Sequence, residues 1–451
     1  MPSTVTHLGP SRVKLVVEIP FADLQPHLER AYREIAQEIT IPGFRKGKVP
    51  PAVINQRFGR GAVLQEAIND ALPQAYSAAV EEAGVVPLME PEVEITKVTD
   101  GEVVEFAAEV DVRPDFDVPS FDALSATVDA LPDPQAEFDQ RVEALRGRFA
   151  TTTEVDRPAE AGDQVTVNLI ATRDGAAIEN GASDGVNYII GVGGMLDGMD
   201  EAVTGLSAGE SATFTSTLLG GPEEGQQADI AVELVKVSSR ELPALDDDFA
   251  QLVSEFDTMD EMRADLTDAI VAQAKVEQAA QGRDRVLEAL VAATDFELPK
   301  RLIDAEVSAR KQDINDQLGR AGMTLEAYLS NAEDEAKTAD EFWERLEAGT
   351  VQGLKAQLIL DKVADDAQVR VEQDDLSELL IRKAIQNGTS PEQEAQHMME
   401  HDHSQTWMRE IRRNKALALI VAQANVTDPD GNRVDVSVPQ LKNGSDEPAE
   451  A

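Results

Sequence analysis

An acid-free stretch near the start of the chain combines basic side chains with an aromatic one. From Ile41 to Gly61 there is no acid, although the whole chain has 85 acidic and 40 basic residues. The basic residues in this stretch are Arg45, Lys46, Lys48, Arg57 and Arg60. Because charges are screened over about 8 Å at physiological salt, a close partner meets this patch rather than the net charge of −45. The chemistry indicated is binding of an anionic surface.

The loop from Gly43 to Pro50 has the composition of an exposed turn. It reads Gly-Phe-Arg-Lys-Gly-Lys-Val-Pro, and Pro42 precedes it. Glycines permit a tight turn and prolines stiffen its ends, which would place Phe44 at an exposed tip. An exposed aromatic side chain among cations favours an apolar anchor for a phosphate-bearing partner. The alternative is a solvated basic turn that binds nothing.

This octamer resembles the ribosome-binding signature of bacterial trigger factors, and the order of segments along nearly the whole chain is also similar to that family. The resemblance implies that the loop contacts a ribosomal protein and ribosomal RNA beside the exit tunnel of the large subunit. It implies an ion pair from Arg45, supported by Phe44 and Lys46. The implied ribosome-binding residues are Gly43, Phe44, Arg45, Lys46, Gly47 and Lys48.

Residues 163–237 resemble an FKBP-type peptidyl-prolyl isomerase. Landmarks are Asp174-Gly175, Met195–Met199 and Ile230–Lys236. Prolyl isomerisation needs no nucleophile, since its barrier of about 18–20 kcal/mol comes from amide resonance and is lowered in a dry apolar pocket that grips proline. By resemblance, the residues of the isomerase pocket are Leu169, Ile178, Glu179, Val186, Leu196, Met199 and Ile230.

The implied pocket lacks the aromatic lining of active relatives, because the matching positions here are aliphatic or Met. The flap loop Leu218–Gly225 carries no Tyr. Between residues 151 and 240 the aromatic residues are Tyr188 and Phe214. We therefore expect weak isomerase activity. A structural module or a weak peptide-binding patch is the alternative, since a fold alone does not fix a function.

Two histidines four residues apart raise a different kind of chemistry. The sequence His397-Met-Met-Glu-His401 fits the inverted zinc-protease pattern, with both histidines on one helical face. A catalytic zinc needs a third protein ligand, and Glu410 is too close in the chain to be the distant acid of that pattern. Coincidence in an acidic helix is the favoured interpretation, and no metal is predicted. No nucleotide-binding loop is found, so no cofactor is predicted either.

Hydrophobic periodicity predicts the elements that would position these groups. In the first part of the chain they are a strand at 12–19, helices at 21–39 and 61–83, and strands near 92–98 and 102–113. Short β-like runs between Gly-rich turns fill residues 154–240. From about 246 to 424 the pattern is helical, and one apolar stripe is Trp407, Ile411, Ala418 and Val421.

The predicted fold class is α+β with several domains: an α+β ribosome-binding domain, an FKBP-like β-rich domain and an all-helical C-terminal chaperone domain. The predicted boundaries are 1–115 for the ribosome-binding domain, 116–150 for a linker, 151–243 for the FKBP-like domain, 244–428 for the helical domain and 429–451 for a disordered acidic tail. The helical domain holds methionines that would line a client surface or, more commonly, be core. They are Met323, Met398, Met399 and Met408.

Composition excludes several classes of function. Cysteine is absent, which excludes disulfides and thiol chemistry. The large negative charge repels nucleic acid and anionic membranes away from the basic patch. Neither a signal-peptide pattern nor an apolar run of about 18 residues occurs, so a cytoplasmic location without membrane contact is expected.

The predicted function is that of an ATP-independent chaperone that binds nascent polypeptides at the ribosomal exit tunnel. Its predicted partners are the large ribosomal subunit and nascent or unfolded polypeptides, and the family also implies a homodimer in the free form. Two alternatives stay open on the sequence alone. One is a stand-alone prolyl isomerase, and the other is a ribosome-assembly factor that binds no clients.

Overall fold

The computed structural model describes residues 2–42, 44–173, 175–218, 225–331, 336, 338–401 and 403–437. The chain forms two compact units. One is built from Met1–Asp129 together with Gln278–Ala451, and the other is Ala130–Glu277. Among the described residues, no helix is both long and apolar enough to cross a membrane.

The first part of the chain forms an antiparallel sheet covered by helices. Over the described residues, the strand order is β1-β2-β4-β3, and the helices lie between β2 and β3 in the chain. The elements are β1 Ser3–Gly9, β2 Arg12–Pro20, α1 Phe21–Glu38, α2 Pro51–Phe58, α3 Arg60–Ala83, β3 Glu92–Thr99 and β4 Val103–Asp111.

The alternation of β2 gives this sheet its buried face. Val13, Leu15, Val17 and Ile19 are all fully buried, and they share a core with the apolar sides of α1 and α3. Strand β1 was not predicted, because most of its side chains are exposed and give no alternating pattern. Its antiparallel pairing with β2 holds it in place.

Strand β5, Ser125–Thr127, precedes the second unit, which is built on an antiparallel sheet. The order of its described strands is β6-β10-β7-β8, and β9 also pairs with β10. The elements are α4 Pro134–Arg148, β6 Thr151–Glu154, β7 Gln164–Arg173, β8 Ala176–Ile189, α5 Met199–Val203, β9 Ser211–Thr217, β10 Gln227–Glu241 and α6 Asp247–Val253.

Three hydrophobic cores of described residues stabilise the second unit, and two of them involve its helices. The sheet core joins Val167 of β7, Val232 of β10 and Met199 of α5. A smaller core joins Phe138 of α4 to Phe249 of α6. The side chains of α5 therefore belong to the same apolar layer as the strands that carry the predicted pocket.

Most of the described residues from Met259 to Gln423 are helical. The elements are α7 Met259–Ala293, α8 Lys300–Arg320, α9 Leu325–Asn331, α10 Ala339–Asp366, α11 Gln373–Asn387, α12 Pro391–Glu400, α13 Ser404–Gln423 and the short strand β11 Asn425–Thr427. Strand β11 pairs in parallel with β5. Gly282 of α7 permits close packing there, because a Cβ on it would lie only 2.5 Å from Val436 Cγ1.

The stretch predicted as a linker, residues 116–150, contains packed side chains. Phe116 stacks on Phe296 with ring centroids 4.2 Å apart, and Leu124 is buried in the same helical core. The later part of the stretch is helix α4. Of the predicted acidic tail, Val436 is buried, and residues 438–451 lie outside the described residues. The predicted domain boundaries remain a proposal about functional domains.

The apolar stripe predicted on α13 is partly confirmed. On α13, Trp407, Ile411 and Val421 are buried, but Ala418 is exposed, so its assignment to the stripe was wrong. Of the methionines, Met398 and Met408 are partly buried, and Met398 packs beside Trp407 and Ile411. The other two are exposed, Met323 by 42% and Met399 by 69%.

Candidate functional sites

The predicted docking loop lies between α1 and α2, and backbone hydrogen bonds hold its conformation. The Gly47 amide donates to the Ala36 carbonyl oxygen at 2.8 Å, and the Lys48 amide donates to the Arg45 carbonyl oxygen at 2.9 Å. Gly47 has a φ of +82°, which suits the turn that the sequence predicts. Gly43 lies outside the described residues.

The side chains of this loop face solvent while its ends are anchored. Ile41 and Val49 are buried in the core of the first unit. Between them Phe44 is 41% exposed. The loop cations Arg45, Lys46 and Lys48 are exposed, and their side chains form no ion pair or hydrogen bond with described residues. The anchored loop thus exposes unpaired cations beside an aromatic ring. This arrangement suits phosphate binding.

An acid from another part of the fold neutralises one of the predicted cations. Arg60 Nη2 donates to Asp100 Oδ1 at 2.8 Å, and Arg60 Nε donates to the other carboxylate oxygen. These hydrogen bonds from Arg60 hold the pKa of Asp100 below its usual value. Asp100 lies in the turn between β3 and β4, so a window without acids in the sequence has an acid beside it in space.

The residues predicted to form the isomerase pocket fall into two adjoining clusters. The first cluster contains Leu169, Ile178, Leu196 and Ile230. Met199 and Val186 belong instead to the sheet core, where Met199 is only 1% exposed. Leu169 contacts both clusters. The Glu179 side chain lies outside the described part of the chain.

Phe214 is an aromatic residue that the predicted pocket left out. It contacts both clusters and lies on β9 opposite Ile230 of β10. Gly198, with a φ of +87°, allows this approach, because a Cβ on it would lie 3.3 Å from Phe214 Cδ2. The sequence signal for Phe214 is its place on an alternating strand, which points it to the same side as the buried Ser216.

Tyr188 fixes the position of α5 against the sheet. Its hydroxyl donates to Asp200 Oδ1 at 2.6 Å, and the Gly191 amide donates to the same oxygen at 2.7 Å. Burial, together with the hydrogen bond to Asp200, raises the pKa of Tyr188 to about 12. Tyr188 is therefore a neutral structural donor, and through Asp200 it holds the helix that carries Met199.

The helical half of the first unit is its described part from residue 278 onward. A cavity of about 800 Å³ opens there. Leu379, Ile411 and Val421 contribute apolar lining, and Arg382 and Glu378 contribute charged groups. A cavity with both kinds of lining suits a peptide segment, which also carries apolar and polar groups.

Models of known protein families match most of the chain. The model of bacterial trigger factor protein matches residues 1–145, and that of the bacterial trigger factor protein C-terminus matches residues 258–422. Between them, the model of FKBP-type peptidyl-prolyl cis-trans isomerase matches residues 155–226.

Three relatives that match 97% of this chain are each named trigger factor. The trigger factor of Cutibacterium acnes is 58% identical over 436 residues, covering 97% of this chain and 82% of that protein. The chain belongs to the trigger factor family. The trigger factor of a Nocardioides species is 47% identical over 97% of this chain and 92% of its own length. That of Streptomyces coelicolor is 46% identical over 97% and 93%.

A solved trigger factor structure has a similar fold. It comes from work on promiscuous substrate recognition in folding and assembly activities of the trigger factor chaperone. Its TM-score is 0.50 at 21% identity, with 94% of this chain and 99% of that chain covered. At this identity the likeness concerns the fold alone.

Membership of the trigger factor family confirms the predicted family, fold class and chaperone function. The family binds ribosomes and nascent chains, and this member carries an FKBP-type peptidyl-prolyl cis-trans isomerase domain. The two alternatives are not favoured, because trigger factor matches lie on both sides of the isomerase match.

Three histidines of this trigger factor lie close together at the junction of α12 and α13. The ring centroids are 4.5 Å apart for His397 and His401, 5.1 Å for His397 and His403, and 5.7 Å for His401 and His403. Helix α12 ends at Glu400, so the five-residue pattern does not lie wholly on one helix. Within the described residues, no group of three metal-ligating side chains could hold a metal ion.

Proposed function

We propose that the loop of Phe44, Arg45, Lys46 and Lys48 docks this trigger factor on the large ribosomal subunit, where it contacts a ribosomal protein and ribosomal RNA. The observation that carries this proposal is the set of exposed, unpaired loop cations in a chain of net charge −45. Several other cations of the same sheet and helix layer are paired with acids, as Arg12 is with Glu92 at 2.9 Å. The loop cations are therefore free to attract phosphate.

The helical half would hold clients without ATP. Its support is exposed apolar surface: Ile385 is 73% exposed, Met399 69% and Ile381 41%, and the cavity beside Leu379 adds concave lining. Docking raises the effective concentration of this surface near the exit tunnel, so weak contacts with unfolded segments suffice. A cytoplasmic location and a homodimer in the free form belong to the same proposal.

The isomerase pocket would be formed by Leu169, Ile178, Leu196 and Ile230, with Phe214 as its aromatic wall. By the family resemblance Glu179 and Val186 would also line this pocket, and Met199, which lies in the sheet core, would support it from behind. Aliphatic side chains grip a proline ring less specifically than aromatic ones, so turnover should be weak. The pocket is secondary to docking in this account.

A triple variant tests the docking proposal. Replacing Phe44, Arg45 and Lys46 with Ala removes the exposed ring and two unpaired cations. Co-sedimentation with ribosomes near physiological salt should be lost, while the melting temperature and the protection of an unfolded client should be unchanged, because an exposed loop tip buries little core.

The matched control removes a cation elsewhere in the same layer. Lys97→Ala deletes an exposed lysine on β3 and should pellet like the wild type. Undiminished pelleting of the triple variant, with its melting temperature unchanged, would contradict the proposal.

A further inference from the structure

The far end of α2 carries another exposed cation beside an exposed aromatic ring. Phe58 is 47% exposed, slightly more than Phe44. Arg57 is exposed, and its side chain makes no ion pair or hydrogen bond with any described residue. Gly59 ends the helix with a φ of +83°, so Phe58 stands at a turn rather than inside a packed helix.

Helix α2 connects this pair to the docking loop at a fixed distance. The helix starts at Pro51, directly after the loop, and has 8 residues, so the two ends are about 12 Å apart. Ile54 is fully buried and pins the helix to the core. Several phosphates of a nucleic-acid strand fit within that span, since their axial spacing is about 3.4 Å.

Charge along this strip is of one sign. From Phe44 to Phe58 the sequence has no acid, and Arg57 joins the three unpaired cations of the loop. The strip ends where Arg60 is paired with Asp100. Arg57 is therefore free to bind a partner, whereas Arg60, three residues later, is already paired with Asp100.

We propose that Arg57 and Phe58 form a second contact with ribosomal RNA, in which Arg57 binds a phosphate and Phe58 stacks on an unpaired base. This inference rests on the docking function proposed for the loop. RNA is the partner that uses both groups, because it offers phosphates and flat base faces at short spacing. An acidic protein surface would pair with Arg57 but has no base face for the ring of Phe58.

Single variants of the full chain, titrated against purified ribosomes at several salt concentrations, separate the two roles. Arg57→Ala should weaken binding and make the slope of log affinity against log salt shallower by about 0.7–0.9. Phe58→Ala should weaken binding about fivefold or more with the slope unchanged, and Phe58→Tyr should restore the affinity, because its ring can still stack.

The matched control is the double variant Arg60→Ala with Asp100→Ala. It removes a neighbouring arginine together with the acid that neutralises it, so both affinity and salt slope should stay at the wild-type values. A photoreactive phenylalanine analogue at position 58 identifies the partner. Crosslinks to ribosomal RNA are expected, and crosslinks to ribosomal protein alone would overturn the assignment of RNA.

The test distinguishes this inference from the docking proposal beneath it. If the triple loop variant pellets normally, the docking function itself is wrong. If that variant fails to pellet while Arg57→Ala and Phe58→Ala keep wild-type affinity and salt slope, only the second contact is overturned.

Discussion

Single residues explain why one candidate site was easier to predict than the other. The docking loop is a continuous sequence, so its glycines, prolines and cations reveal a turn and its charge without knowledge of the fold. The pocket is assembled from the strands β7, β8, β9 and β10 and from Leu196, which lies before α5. Residue types alone could therefore not separate Ile178, which lies in its cluster, from Met199, which is sheet core.

Pairing between distant residues limits prediction at the same scale. Arg60 belongs to an acid-free window, yet its partner Asp100 comes from a turn 40 residues away. Phe214 was left out of the pocket because its contacts with Ile230 arise from the pairing of β9 with β10. A sequence shows which charges and rings exist, but the register of strands decides which ones meet.

Aromatic substitutions should distinguish the residues of the isomerase pocket from those of the sheet core. Ile178→Phe adds a ring at a partly buried position beside the pocket cluster and should raise turnover of a prolyl tetrapeptide. Met199→Phe enlarges a side chain that is only 1% exposed, so it should lower the free energy of unfolding by about 1–3 kcal/mol. Peptide turnover and urea unfolding measure the two effects.

The control for this comparison is Ile170→Phe on β7, the strand that pairs with the β8 strand of Ile178. Ile170 is 48% exposed, so the substitution should change neither turnover nor stability. The pocket assignment is wrong if Ile178→Phe leaves peptide turnover at the wild-type rate. It is also wrong if the wild-type chain already turns over the peptide as fast as a relative with an aromatic-lined pocket.

At the scale of elements, periodicity predicts what local sequence encodes. Strand β2 and helices α1 and α3 have a clear apolar face and were predicted with small differences at their ends. The strands β5 and β11 were missed, because each has three residues and forms only by pairing with a segment some 300 residues away. Their pairing accounts for the buried Ala126 of the predicted linker.

The pairing of β6 with β10 permits a clean removal of the isomerase domain. Thr151 and Glu241 are cross-strand partners, so their Cα atoms lie about 5 Å apart and a short Gly-Ser linker can replace residues 152–240. The variant should lose prolyl isomerase turnover but keep ribosome pelleting and most suppression of client aggregation. The core of Phe138 and Phe249 stays intact in this design.

The outcome is judged against the full chain at equal concentration. A shortened variant that is folded by circular dichroism but no longer delays aggregation would show that the helical half does not carry the chaperone activity.

For the whole molecule, the decisive feature is the contrast between overall and local charge. The chain carries −45, which repels phosphate-rich surfaces at long range. The unpaired cations of the docking loop act at close range, where screening by salt leaves their attraction intact. Attraction to the ribosome should therefore come from a few residues rather than from the body of the protein.

The salt dependence of ribosome affinity in the wild-type chain tests this account most directly. Each phosphate contact contributes about 0.7–0.9 to the slope of log affinity against log salt. Arg45, Lys46 and Lys48 together predict a slope of about −2 to −3, and a contact from Arg57 would add nearly one more. Affinity that stays constant or rises as salt increases would contradict docking through these cations.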